Sequence, residues 1–356
     1  MELFITEMKR NAYRKLLEAL ENGALDVAYK LGESCYRVQN MAQPKSVEAM
    51  EHEIESQSTL LLKLELPERV DPTKCVMTGS GDSYVAASIA SYLSNRRTVC
   101  CFPSELILNN DILEGKELFV VSISGRTAQN IAAAKAAKKR NIKTTAITAN
   151  SYSELARLCD RVVRVDYSDS GVPTSGSISF LSTLLACVSL VTRITVSPKD
   201  LQGALEVAKT TVNSILDQIS DTPSSILYLA EGPLYPIAWY GSLKMNEVLG
   251  VRSFPYSIQE YCHAPLFSIK KDDTIIILNE IYSKATPENE FLQKLRKLNF
   301  PVLSLDLPVS PGISCLLQAV FSVQLLALRK AKKKGMTECF FAQSRDLLNA
   351  SSACIY

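Results

Sequence analysis

The sequence has almost no charge imbalance: 39 Lys and Arg stand against 37 Asp and Glu, a formal net charge of +2. A nucleic-acid binder carries a basic face or stripe, so nucleic acid is not expected as a partner. No uninterrupted apolar run reaches the ~18 residues of a membrane-spanning helix, and no membrane partner is expected either. The N-terminus, Met1-Glu2-Leu3-Phe4-Ile5-Thr6-Glu7-Met8-Lys9, lacks the basic start and long apolar core of a signal peptide. The ten cysteines include no CxxC pair, which leaves zinc and redox motifs without support. Scattered through apolar runs such as Ala186-Cys187-Val188, they read as buried thiols in a reducing cytosol, and the expected location is cytoplasmic.

What is present is the mix of a soluble globular protein, 47% hydrophobic with 14 Gly and 15 Pro. At 356 residues the chain exceeds the ~100–200 residues of one ordinary domain, so two are expected. The one dense basic stretch, Arg329-Lys330-Ala331-Lys332-Lys333-Lys334, follows an apolar helix-like segment and reads as a solvated helix end.

Apolar residues spaced about one helical turn apart predict helices over 12–31 and 46–64. From Lys74 short apolar runs alternate with amphipathic segments, as in a parallel sheet covered by helices. Strands are predicted at 75–78, 98–102, 118–123, 144–148 and 162–165, with helices at 83–93, 128–140, 151–159 and 180–191. The second half repeats this order about 150 residues on. Ile226-Leu227-Tyr228-Leu229 answers Cys75-Val76-Met77-Thr78, and Thr274-Ile275-Ile276-Ile277-Leu278 answers Leu118-Phe119-Val120-Val121-Ser122. Phe102-Pro103 and Phe254-Pro255 also suggest the same position in each repeat. The expected organisation is a helical extension over 1–65, an α/β domain over 66–197, a linking helix over 198–221, and a second α/β domain with a C-terminal tail over 222–356.

Two strand-to-helix junctions are candidate anion sites. Thr78-Gly79-Ser80-Gly81-Asp82-Ser83-Tyr84 offers glycines and the free N–H groups of a helix start. A dinucleotide fingerprint fails because Tyr84 occupies the third glycine position, and a tight turn without a ligand stays open. Ser122-Ile123-Ser124-Gly125-Arg126-Thr127 adds three hydroxyls able to bind phosphate without a lysine. Ligands of open α/β sheets lie beyond the carboxyl ends of the strands, so both loops would face one crevice.

These loops resemble those of the sugar isomerase (SIS) domain family, and the chain from about Met50 resembles the isomerase half of the glucosamine-6-phosphate synthase family. The resemblance implies α/β architecture with two flavodoxin-like parallel-sheet domains. It also implies that Ser122, Ser124 and Thr127 hold a sugar phosphate, and that Gly81-Asp82-Ser83-Tyr84 corresponds to a Gly-Thr-Ser-Tyr loop in which the serine touches ligand. Met50-Glu51-His52-Glu53-Ile54-Glu55-Ser56-Gln57 matches a Met-x-x-Glu-Ile-x-x-Gln stretch. Leu243-Lys244-Met245-Asn246-Glu247 matches Leu-Lys-x-x-Glu, which makes Glu247 the general-base candidate. Aldose–ketose isomerisation through an enediol needs such a group to take a proton from one carbon and return it to the next. Glu260-Tyr261-Cys262-His263-Ala264-Pro265-Leu266 resembles Glu-x-x-His-Gly-Pro-Leu, whose histidine assists ring opening. Ser175, in Gly171-Val172-Pro173-Thr174-Ser175-Gly176-Ser177, falls near a loop lining the sugar site. Without the family, Glu247 reads as a surface carboxylate and His263 as a core or interface histidine.

Two departures bear on the activity. The chain offers no glutaminase domain, and Asn349 in Ser344-Arg345-Asp346-Leu347-Leu348-Asn349-Ala350 stands where the family's imine-forming lysine falls. The expectation is therefore an isomerase or isomerising deaminase acting on a hexose or hexosamine 6-phosphate, without metal or cofactor, as a homodimer. A phosphoglucose and phosphomannose isomerase, or a non-catalytic phosphosugar-sensing module, are the alternatives.

Overall fold

The computed structural model describes residues 45–60, 64–168, 170–280, 287–307 and 312–356; the helix predicted over 12–31 lies outside them. Helix α1, Ser46–Leu60, stops short of the predicted Leu64, which is not helical. Met50, Glu53, Ile54 and Gln57 are its buried face. Their three- and four-residue spacing is that of one helical stripe.

The first sheet is built from β1 (Cys75–Gly79), α2 (Asp82–Leu93), β2 (Val99–Cys100), α3 (Pro103–Leu108), β3 (Glu117–Val121), α4 (Ala128–Lys139), β4 (Thr144–Thr148), α5 (Glu154–Leu158), β5 (Arg161–Arg164) and α6 (Ile178–Val191). Its strands are parallel in the order β2-β1-β3-β4-β5. That is the flavodoxin-like order, and the chain reverses direction across the sheet between β1 and β3. All five residues of β1 are buried, as expected of a parallel strand covered on both faces.

Helix α7, Pro198–Leu216, follows, opened by a capping box in which Ser197 and Asp200 exchange hydrogen bonds. The second sheet comprises β6 (Ile226–Leu229), α8 (Tyr235–Lys244), β7 (Ser253–Tyr256), α9 (Ile258–His263), β8 (Thr274–Glu280), α10 (Pro287–Lys297) and β9 (Val302–Leu307), with strand order β7-β6-β8-β9, again parallel. Helices α11 (Ile313–Lys333), α12 (Phe340–Gln343) and α13 (Arg345–Ile355) complete the chain.

The Phe-Pro parallel does not hold. Phe102 caps and Pro103 begins helix α3, whereas Phe254 and Pro255 lie within β7. β7 is an edge strand, where a residue without an N–H is tolerated.

Residues 46–356 form one unit, and its central core is shared by the two sheets. Cys75, Met77, Phe119 and Val121 join Tyr228, Ile276 and Leu303 in one apolar cluster, with α11 running through it. The alternate strand residues Val76, Leu118 and Val120 face a separate outer core, as do Leu227, Leu229 and Ile275 on the second sheet. Helix α11 is long and apolar enough to cross a membrane by length and composition, but its apolar window is 83% buried in this interior. The basic run at its end is not wholly solvated. Lys330 is buried, its Nζ 2.7 Å from both Ile219 O and Asp221 Oδ1, while Lys332 and Lys333 pair with Glu51 and Asp217. Of the cysteines, Cys354 is exposed rather than buried.

Candidate functional site

Gly81, at φ 56° and ψ −132°, turns the chain from β1 into α2. A side chain is strained at such a positive φ, and the turn makes Asp82 the first helical residue. From the other sheet, α8 runs into a π-helical turn, Met245–Leu249, a distortion that recurs at functional sites. Gly250 ends it at φ 64°, with the Phe340 ring 2.5 Å from where a Cβ would stand. Asn246 fixes the turn to β7, donating to Ser242 O and Ser253 O and accepting from Ser253 N–H.

These two turns meet over Lys244. Its side chain has no exposed surface, and its Nζ lies 3.0 Å from Asp82 Oδ2 and 2.8 Å from Glu247 Oε2. The Ser175 hydroxyl donates to the same Glu247 oxygen at 2.5 Å. Asp82 and Glu247 are 27% and 40% exposed at the side chain, and both line a cavity of about 420 Å³ together with Thr174, Gly176 and Asn246. Its opposite wall comes from the C-terminal segment, with Phe340, Phe341 and Leu347 among the lining residues.

Burial pulls the Lys244 ammonium down, but the Asp82 and Glu247 carboxylates outweigh it and hold the group above the ordinary lysine range. Burial pushes the Asp82 carboxyl up to about 6 against the pull of Lys244, and the Glu247 charge adds to the rise. One ammonium cannot fully compensate two neighbouring acids.

The loop carrying Ser175 is held by α1. Glu53, 2% exposed, accepts from Ser170 N–H at 3.2 Å and from the hydroxyls of Ser170, Thr174 and Ser177 at 2.9, 2.8 and 2.6 Å. Gln57 donates to Gln324, whose amide in turn donates to Tyr240 OH; that hydroxyl donates to Gly176 O. Tyr240 stacks on Phe180 at 3.7 Å between ring centroids. The polar positions of the Met-x-x-Glu-Ile-x-x-Gln stretch thus organise the 170–177 loop from beneath.

Ser122, Ser124 and Thr127 lie on the adjacent loop, at the carboxyl end of β3. Ser122 Oγ and Thr127 Oγ1 are 3.4 Å apart, and Ser124 Oγ accepts from Arg126 N–H. Thr127 caps α4 without a side-chain hydrogen bond to its first turn, which leaves the first-turn N–H groups to a ligand or water. The two loops are tied together: Ser80 Oγ donates to Asn130 Oδ1, and Asn130 Nδ2 donates to Val121 O. The two loops lie side by side at the carboxyl ends of β1 and β3, but of the predicted residues only Asp82 and Glu247 line the cavity, with Ser175 bonded to its rim; Ser122, Ser124 and Thr127 do not line it. Ser83 is half-buried and outside the lining.

His263 is not brought to this cavity by its own chain; it is exposed at the end of α9. Asn349 is exposed too and does not line the cavity, although Ser344, Leu347 and Leu348 of the same segment do. Lys244 went unassigned in the sequence, yet its three-residue spacing from Glu247 put both on one helical face. Nothing local marked Glu53 as a loop anchor. Among the described residues no group of three or more His, Cys, Asp or Glu side chains is arranged to hold a metal ion.

Residues 70–193 match the family model of the SIS domain. That stretch is a SIS domain, and the parallel strand order of its sheet recurs in the second sheet of the chain. It resembles the isomerase part of glutamine–fructose-6-phosphate aminotransferase [isomerizing]. The Shewanella oneidensis protein of that name is 29% identical over 237 residues, 61% of this chain and 38% of the relative; the Sulfolobus acidocaldarius one is 24% identical over 251 residues, 67% and 41%. The chain thus spans about two fifths of the length of these relatives. Its fold matches the C-terminal domain of the Francisella tularensis glucosamine-fructose-6-phosphate aminotransferase at TM-score 0.65 and 19% identity, covering 83% of this chain and 98% of that one. It also matches a Thermotoga maritima glucosamine-6-phosphate deaminase at TM-score 0.63 and 20% identity, covering 82% and 95%.

Proposed function

We propose that the chain is a phosphosugar isomerase or isomerising deaminase acting on a hexose or hexosamine 6-phosphate. The observation that carries this reading is Glu247: a partly exposed carboxylate on a cavity wall, with Lys244 and Ser175 both bonded to Oε2. With one oxygen held by two donors, the other is left for proton transfer, and the orientation is fixed before substrate arrives. In this scheme Glu247 takes the proton from carbon 2 of the open-chain sugar and returns it to carbon 1, as O1 gains a proton and the carbon-2 substituent loses one; the intermediate is an enediol for a hexose and an enaminol for a hexosamine, whose resulting carbon-2 imine water hydrolyses to the ketose and ammonia. The hydroxyls of Ser122, Ser124 and Thr127 and the start of α4 receive the phosphate, at neutral N–H and O–H donors. Similarity to the isomerising aminotransferases and to the deaminase fold supports the substrate class.

His263 handles the ring oxygen in this proposal only if a second copy supplies it, which fits a homodimer. A phosphosugar-binding module without turnover is the second reading, favoured by the exposed position of His263 and by asparagine at 349.

The test is exchange of the carbon-2 proton with deuterated solvent, followed by NMR on a panel of hexose and hexosamine 6-phosphates, with ammonia release monitored. Glu247→Gln is expected to bind the sugar phosphate and to lose exchange by about 100-fold or more. Binding by the parent without exchange on any sugar would leave the sensing module as the function.

A further inference from the structure

Asp82 stands where the resembled loop has threonine, and it brings a charge to the cavity that this loop otherwise lacks. Two carboxylates, Asp82 and Glu247, line the cavity, while among the described residues no lysine, arginine or histidine does. Lys244 reaches both from behind with no exposed surface of its own. One ammonium against two ionised carboxylates leaves one negative charge uncompensated. The consequence is visible on Asp82 itself. Burial and the Glu247 charge raise its carboxyl to about 6 even though Lys244 is bonded to it. Its Oδ2 holds Lys244, whereas its buried Oδ1 has no hydrogen-bond partner. That buried oxygen raises the cost of the charge, and the 27% of the side chain left exposed on the cavity wall is the part that a ligand can reach.

The space beside Asp82 is kept open by Gly176. A Cβ at that position would come 2.5 Å from Asp82 Oδ2, so any larger residue would press on the carboxylate. The remaining polar groups on the lining, such as Thr174, Asn246 and Ser344, are neutral. The cavity is thus complementary to a ligand that brings one positive charge to the Asp82 side; in the proposed function its phosphate goes to the neighbouring hydroxyl loop after β3.

We infer that Asp82 is the ammonium-recognising residue of this cavity, and that the sugar phosphate it selects carries a primary amine: a hexosamine phosphate in preference to a hexose phosphate. This rests on the phosphosugar reading above and narrows it to one substrate class. The acid at the first position of α2 then has two partners in the bound state, Lys244 within the protein and the amine of the sugar.

Calorimetric dissociation constants for glucosamine 6-phosphate and glucose 6-phosphate, measured at neutral pH on the parent and on Asp82→Asn, test it. The parent is expected to favour the amino sugar by about ten-fold or more, the scale of one charge-assisted hydrogen bond. In Asp82→Asn the ratio of the two constants should fall close to one. Equal affinities in the parent, or the same ratio in parent and variant, overturn the inference while leaving the phosphosugar reading standing. Failure of both sugars to bind the parent overturns that reading and this inference together. If Asp82→Asn does not fold, Asp82→Thr, which restores the residue of the resembled loop, takes its place with the same two outcomes.

Discussion

The Ser175 hydroxyl donates to Glu247 Oε2 across 2.5 Å, joining the loop before α6 to the π-turn after α8. These residues are 72 positions apart in the chain, and each belongs to a different sheet's set of elements. The contact exists because Glu53 pins the serine's neighbours Thr174 and Ser177 while Lys244 pins the glutamate.

Removing that pin should show in activity before it shows in the fold. Glu53→Gln is expected to lower kcat for proton exchange by about ten-fold, because an amide cannot accept from all the donors that surround a carboxylate. Glu53→Ala, which strands three hydroxyls near the core, should also cost about 1–3 kcal/mol of stability in urea. A Glu53→Gln enzyme with parental kcat and an unchanged pH profile would show that the 170–177 loop holds its place without α1.

The hydroxyl loop after β3 should govern affinity for the phosphate. Replacing Ser124 and Thr127 with Ala is expected to weaken phosphosugar binding by about 1–3 kcal/mol with a smaller effect on melting, since Ser124 Oγ accepts only from the exposed Arg126 N–H and Thr127 Oγ1 makes one long contact, 3.4 Å, to the buried Ser122. Calorimetry with the phosphosugar and with its unphosphorylated sugar separates the two contributions. A loss equal for both ligands would place the phosphate elsewhere.

Protonation of Asp82 should erase the preference for an amine. With its carboxyl raised to about 6, the group is mostly ionised at neutral pH and gains a proton as pH falls through that value. Lys244 and Glu247 are the charged groups that face it. The ratio of amino-sugar to neutral-sugar affinity is therefore expected to decline below about pH 6, with bound amine moving the midpoint lower. The phosphate monoester titrates in the same region, so the ratio, in which that contribution cancels, is the quantity to measure. A ratio that holds constant down to pH 4.5 would remove Asp82 from amine recognition.

His263 offers a separate test of assembly. Because it is exposed in its own chain, His263→Ala should melt within about 0.5 kcal/mol of the parent. If it completes a neighbour's site, it should lose turnover of cyclic sugars while retaining an open-chain ketose phosphate. Mixing it with Glu247→Gln should then restore about a quarter of the activity in exchanged dimers. No recovery after verified subunit exchange would exclude a shared site.

The sequence by itself determined the sheets and the loops at their ends. The largely apolar runs at 75–79 and 274–278, glycines at helix starts and the repeat at about 150 residues are sequence signals, governed by backbone sterics and burial on both faces of a parallel sheet. The Phe-Pro pairs were a local likeness without the same meaning: both edge strands tolerate proline, but β2 ends at Cys100 before its pair, whereas β7 runs on through Phe254 and Pro255. What only the tertiary structure decided is which side chains share an environment. Lys244 shows no exceptional local sequence character, and Lys330 sits in what reads as a solvated basic run, yet both are buried by packing. Asp82 and Glu247 become a coupled pair only when α2 of one sheet meets α8 of the other over one ammonium. Charge–charge energies depend on distance and solvent exposure, and neither is written along the chain until the two sheets share a core.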